Sequence, residues 1–412
     1  MRNRVYLDRV YYVCSKTFGC YINQLGELNY NHLLKGLSHA SKASKELEIK
    51  GRPISTGDIY FLCYILRASQ LATASYGHLL VKGLLGEGGF FDRIVSVMTL
   101  GDQKRYIDAL LLHLQIQRTD LLYYTFGKDE IPYDEDLTFY TPAYFLIRDP
   151  QQHRIVLTIR GTFCIQDFIT DFSGSNYSWN QGYVHMGMGI TANYLLQNTS
   201  LPSILRNSLL DNPGYSFEIV GHSMGASIAA LLTMELEKDP FYEEHQISCV
   251  CLAPAPVLSK SLLEQSKTNI ISIVNADDIV PRLSKEALDQ FADTVMREAS
   301  SCKLHYQSVS SRSLEGYVCD DFYLPGTVYY MNPYLDNYNL TPKLDKALFN
   351  VPALDASHLL PSISSSQGMI ELQPEEFPET IIISPFLLFC HFPTEYEKLI
   401  TNITKKMAKL IS

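Results

Sequence analysis

Residues 217 to 225 read FEIVGHSMG, and the stretch ASIAALLTMEL follows. A β-branched run, a Gly-x-Ser-x-Gly pentapeptide and a helix-forming segment, in that order, predict a strand that turns sharply into a helix. Few folds contain such a turn. The serine at its apex must take strained backbone angles, and the residues two before and two after it must be small enough for strand and helix nearly to touch. Gly221 and Gly225 occupy those places. Ser223 then projects its hydroxyl out of the turn, with the first N–H groups of the helix beside it to receive negative charge. It is the candidate nucleophile. A surface Gly/Ser turn would contain the same five letters, but not the strand and helix on either side.

From about residue 139 apolar strands alternate with helical segments: FYTPAYFLIRD, RIVLTIRG, the strand before Ser223, ISCVCLA and NIISIVNADD. Continuous apolar runs of this kind predict a mainly parallel sheet with helices on both faces, an α/β core. With 412 residues, 46% of them hydrophobic, the chain can bury a large core. Residues 1–130 are expected to form a mostly helical flank or cap, and residues 131–412 the α/β domain. Within that domain the periodicity weakens at about 284–377, around FYLPGTVYYMNPY and PSISSSQG, and this stretch reads as a loop-rich insertion. ETIIISP then predicts a returning strand, followed by a terminal helix from Thr394 onward.

The net charge of −10, with no concentrated basic stripe, argues against a nucleic-acid partner and against electrostatic attraction to anionic membranes. Attraction to lipid would have to be apolar. Charges at Arg2, Arg4, Asp8, Arg9 and Lys16 interrupt any signal peptide, and the run IYFLCYIL at 59–66 is too short to span a bilayer, so no transmembrane segment is expected. Nine cysteines, an odd number without CxxC spacing, fit reduced intracellular thiols better than a disulfide framework or a zinc site. The expected location is cytoplasmic, with room for peripheral attachment to a membrane.

A serine hydroxyl needs a base to accept its proton, and the base, usually histidine, needs a carboxylate to fix its tautomer. The strand NIISIVN runs directly into ADDIVPRL, so Asp277 and Asp278 lie on a loop at a strand end, and one of them is the candidate acid. Of the later histidines, His305 sits in the alternating KLHYQSVS and reads as a strand-face residue, while His358 lies inside the insertion. His391 follows ETIIISP and a short FLLFC turn and precedes the last helix, which makes it the candidate base, with His358 as the runner-up. Stabilising an oxyanion needs N–H donors. Met224, directly after the serine, supplies one, and RIVLTIRGT brings Gly161 and Thr162 to the end of another strand. Ile165, Phe168, Ile169 and Phe172 then form an apolar stripe at helical spacing, read either as core packing or as a lid over an acyl pocket.

These motifs together resemble the class 3, or fungal-type, lipases, and most of all their diacylglycerol lipase branch. The resemblance spans about 139 to 400 and rests on IRGT with DFITD, VHMGM, VGHSMGA, NADDIVPRLS, LPG and IIISPFLLFCHFPTEY. It implies an α/β-hydrolase fold, places the acid at Asp278 and the base at His391, and matches Thr162 to the family's oxyanion residue. Two departures stand out. The transmembrane helices of membrane diacylglycerol lipases have no counterpart here, and Cys390 stands where that branch commonly has an aspartate before the histidine.

The expectation is therefore a serine lipase that cleaves an ester of diacylglycerol or triacylglycerol through an acyl-enzyme. Its lipid would be met at a membrane or lipid-droplet surface. The expected catalytic residues are Ser223, Asp278 and His391, with Thr162 and Met224 as oxyanion donors. This chemistry requires no metal or organic cofactor. Phospholipase A or acyltransferase activity would use the same residues, and a catalytically silent lipid-binding protein is the rival from another class. Asp167 and Asp171 read as lid-flank carboxylates, His185 and His222 as structural, and GLLGEGGFF lacks the last glycine of a nucleotide fingerprint.

Overall fold

The computed structural model describes residues 49, 51–77, 103–127, 130–132, 138–161, 176–284, 286–287, 290, 321–331, 368–378, 380–382 and 389–411. The strands in the first half of the chain are β1 (Arg52–Pro53), β2 (Leu121–Thr125), β3 (Glu130–Pro132), β4 (Thr138–Tyr140), β5 (Tyr144–Asp149), β6 (Arg154–Ile159), β7 (Asn176–Trp179) and β8 (Gly182–His185). They are followed by β9 (Ser216–His222), β10 (Ser248–Leu252), β11 (Leu258–Ser259), β12 (Ile270–Asn275), β13 (Phe322–Tyr323), β14 (Thr327–Met331) and β15 (Met369–Leu372). The longer helices are α1 (Ile59–Ala74), α2 (Gln103–Leu114), α3 (Met186–Gln197), α4 (Leu201–Leu210), α5 (Met224–Leu236) and α6 (Pro393–Ile411).

Among the described residues the central sheet has nine strands, in the order β1-β15-β14-β12-β10-β9-β6-β5-β2. Its middle, β6, β9, β10, β12 and β14, is parallel throughout. Antiparallel strands complete both edges. A parallel sheet must be covered on both faces, and the alternation along its strands shows how. Leu157, Ile219 and Cys251 point into one core with Ala226 and Ala230 of α5, Leu195 of α3 and Leu205 of α4. Val156, Val220 and Val250, one residue out of step, point into the other with Leu62 and Ile65 of α1, Leu110 of α2 and Ile400 of α6. Each fully buried Leu or Ile in these layers contributes about 1.5–3 kcal/mol relative to exposure.

The stretch read as an N-terminal flank supplies part of one face of this arrangement: α1 and α2 cover the sheet together with α6, and β2 extends it. In the same way, β14 and β15 lie within the expected insertion, yet both are strands of the central sheet. Each has only four or five residues, too short a pattern to stand out among loops.

The run ETIIISP does not begin as the expected strand. Residues 380–382 have no regular structure, and 383–388 lie outside the described residues. Ile381 and Ile382 are both buried without strand pairing, and two adjacent buried apolar residues cannot be told from a strand by periodicity.

Candidate active site

The elbow forms where β9 ends. Ser223 has φ 60° and ψ −134°, a sparsely populated region for a residue with a Cβ. Its N–H donates to the Leu252 carbonyl at 2.9 Å, and its own carbonyl accepts from the N–H of Ala226 at 2.8 Å, so the strain is held by a strand on one side and a helix on the other. A Cβ on Gly221 would lie 2.3 Å from the Gly225 carbonyl oxygen, and one on Gly225 would lie 2.5 Å from that of Ile159. This close approach is why both positions are glycine. Ala253 and Ala276, just past the ends of β10 and β12, also have positive φ, so strained backbone gathers at the carboxyl edge of the sheet.

The structure brings Ser223, Asp278 and His391 together. Nε2 of His391 is 2.9 Å from Oγ of Ser223, and its Nδ1 is 3.0 and 3.1 Å from the two carboxylate oxygens of Asp278. A carboxylate only accepts, so Nδ1 carries the proton, and Nε2 is left to accept from the serine hydroxyl. All three side chains are buried, with relative exposures of 1%, 0% and 4%.

Asp278, and not its neighbour Asp277, makes the contact with His391. Tyr396 of α6 donates its hydroxyl to Asp278 at 2.6 Å and accepts from the Asn275 N–H at 3.0 Å, while the Val280 N–H donates to the same carboxylate at 3.0 Å. The histidine loop is tied to the strand ends by Asn275, whose side-chain amide donates to the Cys390 carbonyl at 2.9 Å. Arg282, wholly buried, donates to the carbonyls of Ala276, Pro378 and Thr380 and lies 4.9 Å from the Phe377 ring centre. It joins the acid loop to the segment leading toward His391. Burial pulls its guanidinium pKa down, and the nearby charges of Asp277 and Asp278 oppose that pull.

Cys390 is also fully buried. Burial raises its thiol pKa well above the usual range, and the charges of Asp277 and Asp278 raise it further. A neutral side chain therefore faces the two aspartates at this position.

Of the two candidate oxyanion residues, Met224 opens α5, where the first N–H groups of a helix have no intrahelical acceptor. Thr162 lies outside the described residues, as do the apolar stripe from Ile165 to Phe172, Asp167, Asp171, His305 and His358. Gly161 packs against the hydroxyl of Tyr76, which would lie 2.9 Å from a Cβ at that position. Among the described residues no group of three or more His, Cys, Asp or Glu is placed to hold a metal ion.

Sequence reasoning did not single out Tyr76, Asn275, Arg282 or Tyr396. Asn275 and Arg282 flank the candidate acid in NADDIVPRL, and Tyr396 follows the candidate base in HFPTEY, so proximity to a motif was an available signal. Tyr76 had none; it is one of 27 tyrosines.

A parallel-centred sheet with helices on both faces, a strained serine elbow after β9 and histidine and aspartate on loops at the carboxyl edge define an α/β-hydrolase fold. Residues 156–287 match the family Lipase (class 3). Diacylglycerol lipase-beta of Mus musculus is 29% identical over 170 residues, which is 40% of this chain and 25% of that protein. Diacylglycerol lipase-alpha of Homo sapiens is 29% identical over 171 residues, 38% of this chain and 16% of that protein. The chain thus spans a quarter or less of these relatives. A solved lipase from Rhizopus microsporus var. chinensis aligns over 87% of this chain and 93% of its own, at 16% identity and a TM-score of 0.44. Among the described residues no helix is long and apolar enough to cross a membrane.

Proposed function

We propose that the protein is a serine lipase that hydrolyses an ester bond of a glycerolipid, diacylglycerol or triacylglycerol, at a membrane or lipid-droplet surface. The observation that carries this reading is the unbroken hydrogen-bonded chain from Asp278 through His391 to a serine held at a strained elbow. His391 Nε2 takes the proton of Ser223 Oγ as the oxygen attacks the ester carbonyl, and Asp278 stabilises the imidazolium that forms. The developing oxyanion is held by the N–H of Met224 and by Thr162, and such donors contribute about 3–4 kcal/mol each. His391 then returns the proton to the departing alcohol. Water, deprotonated by the same nitrogen, adds to the acyl-enzyme, and its collapse frees the fatty acid and Ser223. Two relatives named diacylglycerol lipase favour diacylglycerol as substrate.

The test is fatty-acid release by the purified protein and by Ser223→Ala from diacylglycerol, triacylglycerol and phospholipid, each presented dissolved and aggregated. Release from the glycerides that is lost in Ser223→Ala is the expected result. Release from phospholipid alone would replace the substrate class by that of a phospholipase A. A wild-type protein that neither releases fatty acid nor reacts with a fluorophosphonate at Ser223 would overturn the triad.

A further inference from the structure

Directly beneath the candidate triad lies a second hydrogen-bonded chain that the mechanism does not use. The hydroxyl of Tyr76 is 2.8 Å from Nδ1 of His222, and Nε2 of His222 is 2.9 Å from the main-chain carbonyl of His391. A carbonyl only accepts, so His222 carries its proton on Nε2, and Nδ1 must accept from Tyr76. Gly161 packs directly against the tyrosine oxygen, since a Cβ there would lie 2.9 Å from it. The order of the hydrogen bonds is fixed: Tyr76 O–H, His222, carbonyl of His391.

The chain joins three separate loops. Gly161 follows β6 and precedes Thr162, His222 precedes Ser223, and His391 is the candidate base. The approach at Gly161 is close, since a Cβ there would lie 2.6 Å from the His222 carbonyl oxygen and 2.7 Å from the Cβ of Ser223. Tyr76 itself comes from the turn that ends α1, where Tyr106 of α2 donates its hydroxyl to the carbonyl of Ser75 at 2.5 Å. Tyr76 and His222 are buried, and the imidazoles of His222 and His391 are 4.8 Å apart, centre to centre. The titratable or charged groups facing this pair are Arg160 after β6, Tyr106 of α2, Tyr396 of α6 and His391. Burial holds the His222 pKa well below the ordinary histidine value, and His391 lowers it further, so the ring stays neutral and keeps one tautomer near neutral pH.

We propose that Tyr76 and His222 are positioning residues, a hydrogen-bonded strut through which α1 sets the spacing between the loop after β6, the nucleophile elbow and the loop of His391. The proposal rests on reading Ser223, Asp278 and His391 as a catalytic triad. Reacting groups must be held to within about 0.5 Å of productive geometry, and loops achieve this only through supporting contacts. A strut of three hydrogen-bonded groups in a water-excluded layer, with Gly161 packed against its far end, meets that need, because every link is costly to leave unpaired. Neither residue touches the reacting atoms; both act through Gly161 and His391.

The experiment compares wild type with Tyr76→Phe, His222→Leu and His222→Gln. Glutamine can still donate an N–H toward the His391 carbonyl, and leucine cannot. Three quantities are measured on protein shown to be folded: kcat and KM for the hydrolysed glyceride, the rate of fluorophosphonate labelling at Ser223, and hydrogen–deuterium exchange in peptides covering 154–161 and 389–396. In Tyr76→Phe, kcat and the labelling rate fall together by about tenfold with KM within about twofold, as loss of transition-state geometry requires. Exchange rises in both peptides. His222→Leu shows the same loss or a larger one, and His222→Gln recovers most of it. Wild-type kcat and labelling in both Tyr76→Phe and His222→Leu would overturn the strut, as would a loss of activity with unchanged exchange in either peptide. If His222→Leu does not fold, Tyr76→Phe and His222→Gln carry the comparison. If wild type neither labels nor hydrolyses, the triad reading fails, and exchange alone then decides the strut: unchanged exchange in Tyr76→Phe overturns it.

Discussion

At the scale of single residues, the site depends on side chains that hold others in place. Ser223 occupies a backbone conformation that costs of order 1–3 kcal/mol, and it persists because Leu252 and Ala226 fix it from both sides. Asp278 has no freedom to turn, since Tyr396, Val280 and His391 share its two oxygens. Hydrogen bonds to a charged group are worth about 1.5–3 kcal/mol, and the bond from Tyr396 is of that kind. Tyr396→Phe is therefore expected to lower kcat by about tenfold or more, with KM little changed, because the aspartate loses a fixed orientation and not a substrate contact. Steady-state kinetics beside a thermal melt checks this. A fall in kcat no larger than the loss of folded protein would make Tyr396 a packing residue only.

At the scale of elements, α1 and α2 are structural parts of the sheet's second layer. α1 buries Leu62, Ile65 and Leu71 completely against strands and against α6, and its last turn delivers Tyr76 to the site. Packing density in such a layer leaves little room for collapse around a void, so Leu62→Ala is expected to cost about 2–5 kcal/mol. Urea unfolding measures it directly. A change under about 1 kcal/mol would mean that α1 is a loose cover and not core. On the opposite side, α5 starts within the elbow and packs among small residues, with Ser227 joined to the main chain of Ala255 at 2.9 and 3.0 Å. The elbow is thus carried by an element buried along most of its length.

At the scale of the whole molecule, burial of two neutral histidines makes stability depend on pH. Burial holds His185 down to about 4, and His222 lies well below its ordinary value. In the unfolded chain both titrate near 6.5, so below that pH the unfolded state takes up protons that the folded state refuses. Their contribution is complete above about 6.5 and is lost as pH falls. For His185 the window runs from about 6.5 to about 4 and is worth about 3 kcal/mol. Denaturant unfolding at a series of pH values between 7.5 and 4.5 should show the decline, and His185→Gln should flatten it. A His185→Gln curve with the slope of wild type would remove His185 from the account.

The sequence alone carried what is local. Strand, Gly-x-Ser-x-Gly and helix are adjacent in the chain, so the strained turn, its two glycines and Ser223 were legible as one pattern. Asp278 and His391 were legible because each lies in a short motif beside a regular element, and the resemblance of several ordered motifs resolved Asp278 from Asp277. The alternation of strands and helices was enough for an α/β core, and the resemblance implied its α/β-hydrolase form. Tertiary structure decided everything that depends on groups far apart in the chain. β14, β15 and β2 became sheet strands because their partners, not their own short patterns, supply the hydrogen bonds. Ile381 and Ile382 proved irregular because burial alone, without a partner strand, imposes no period. Tyr76 meets His222 across 146 positions of sequence, and no propensity or spacing encodes that contact. Only the packing of α1 across the sheet brings the two together.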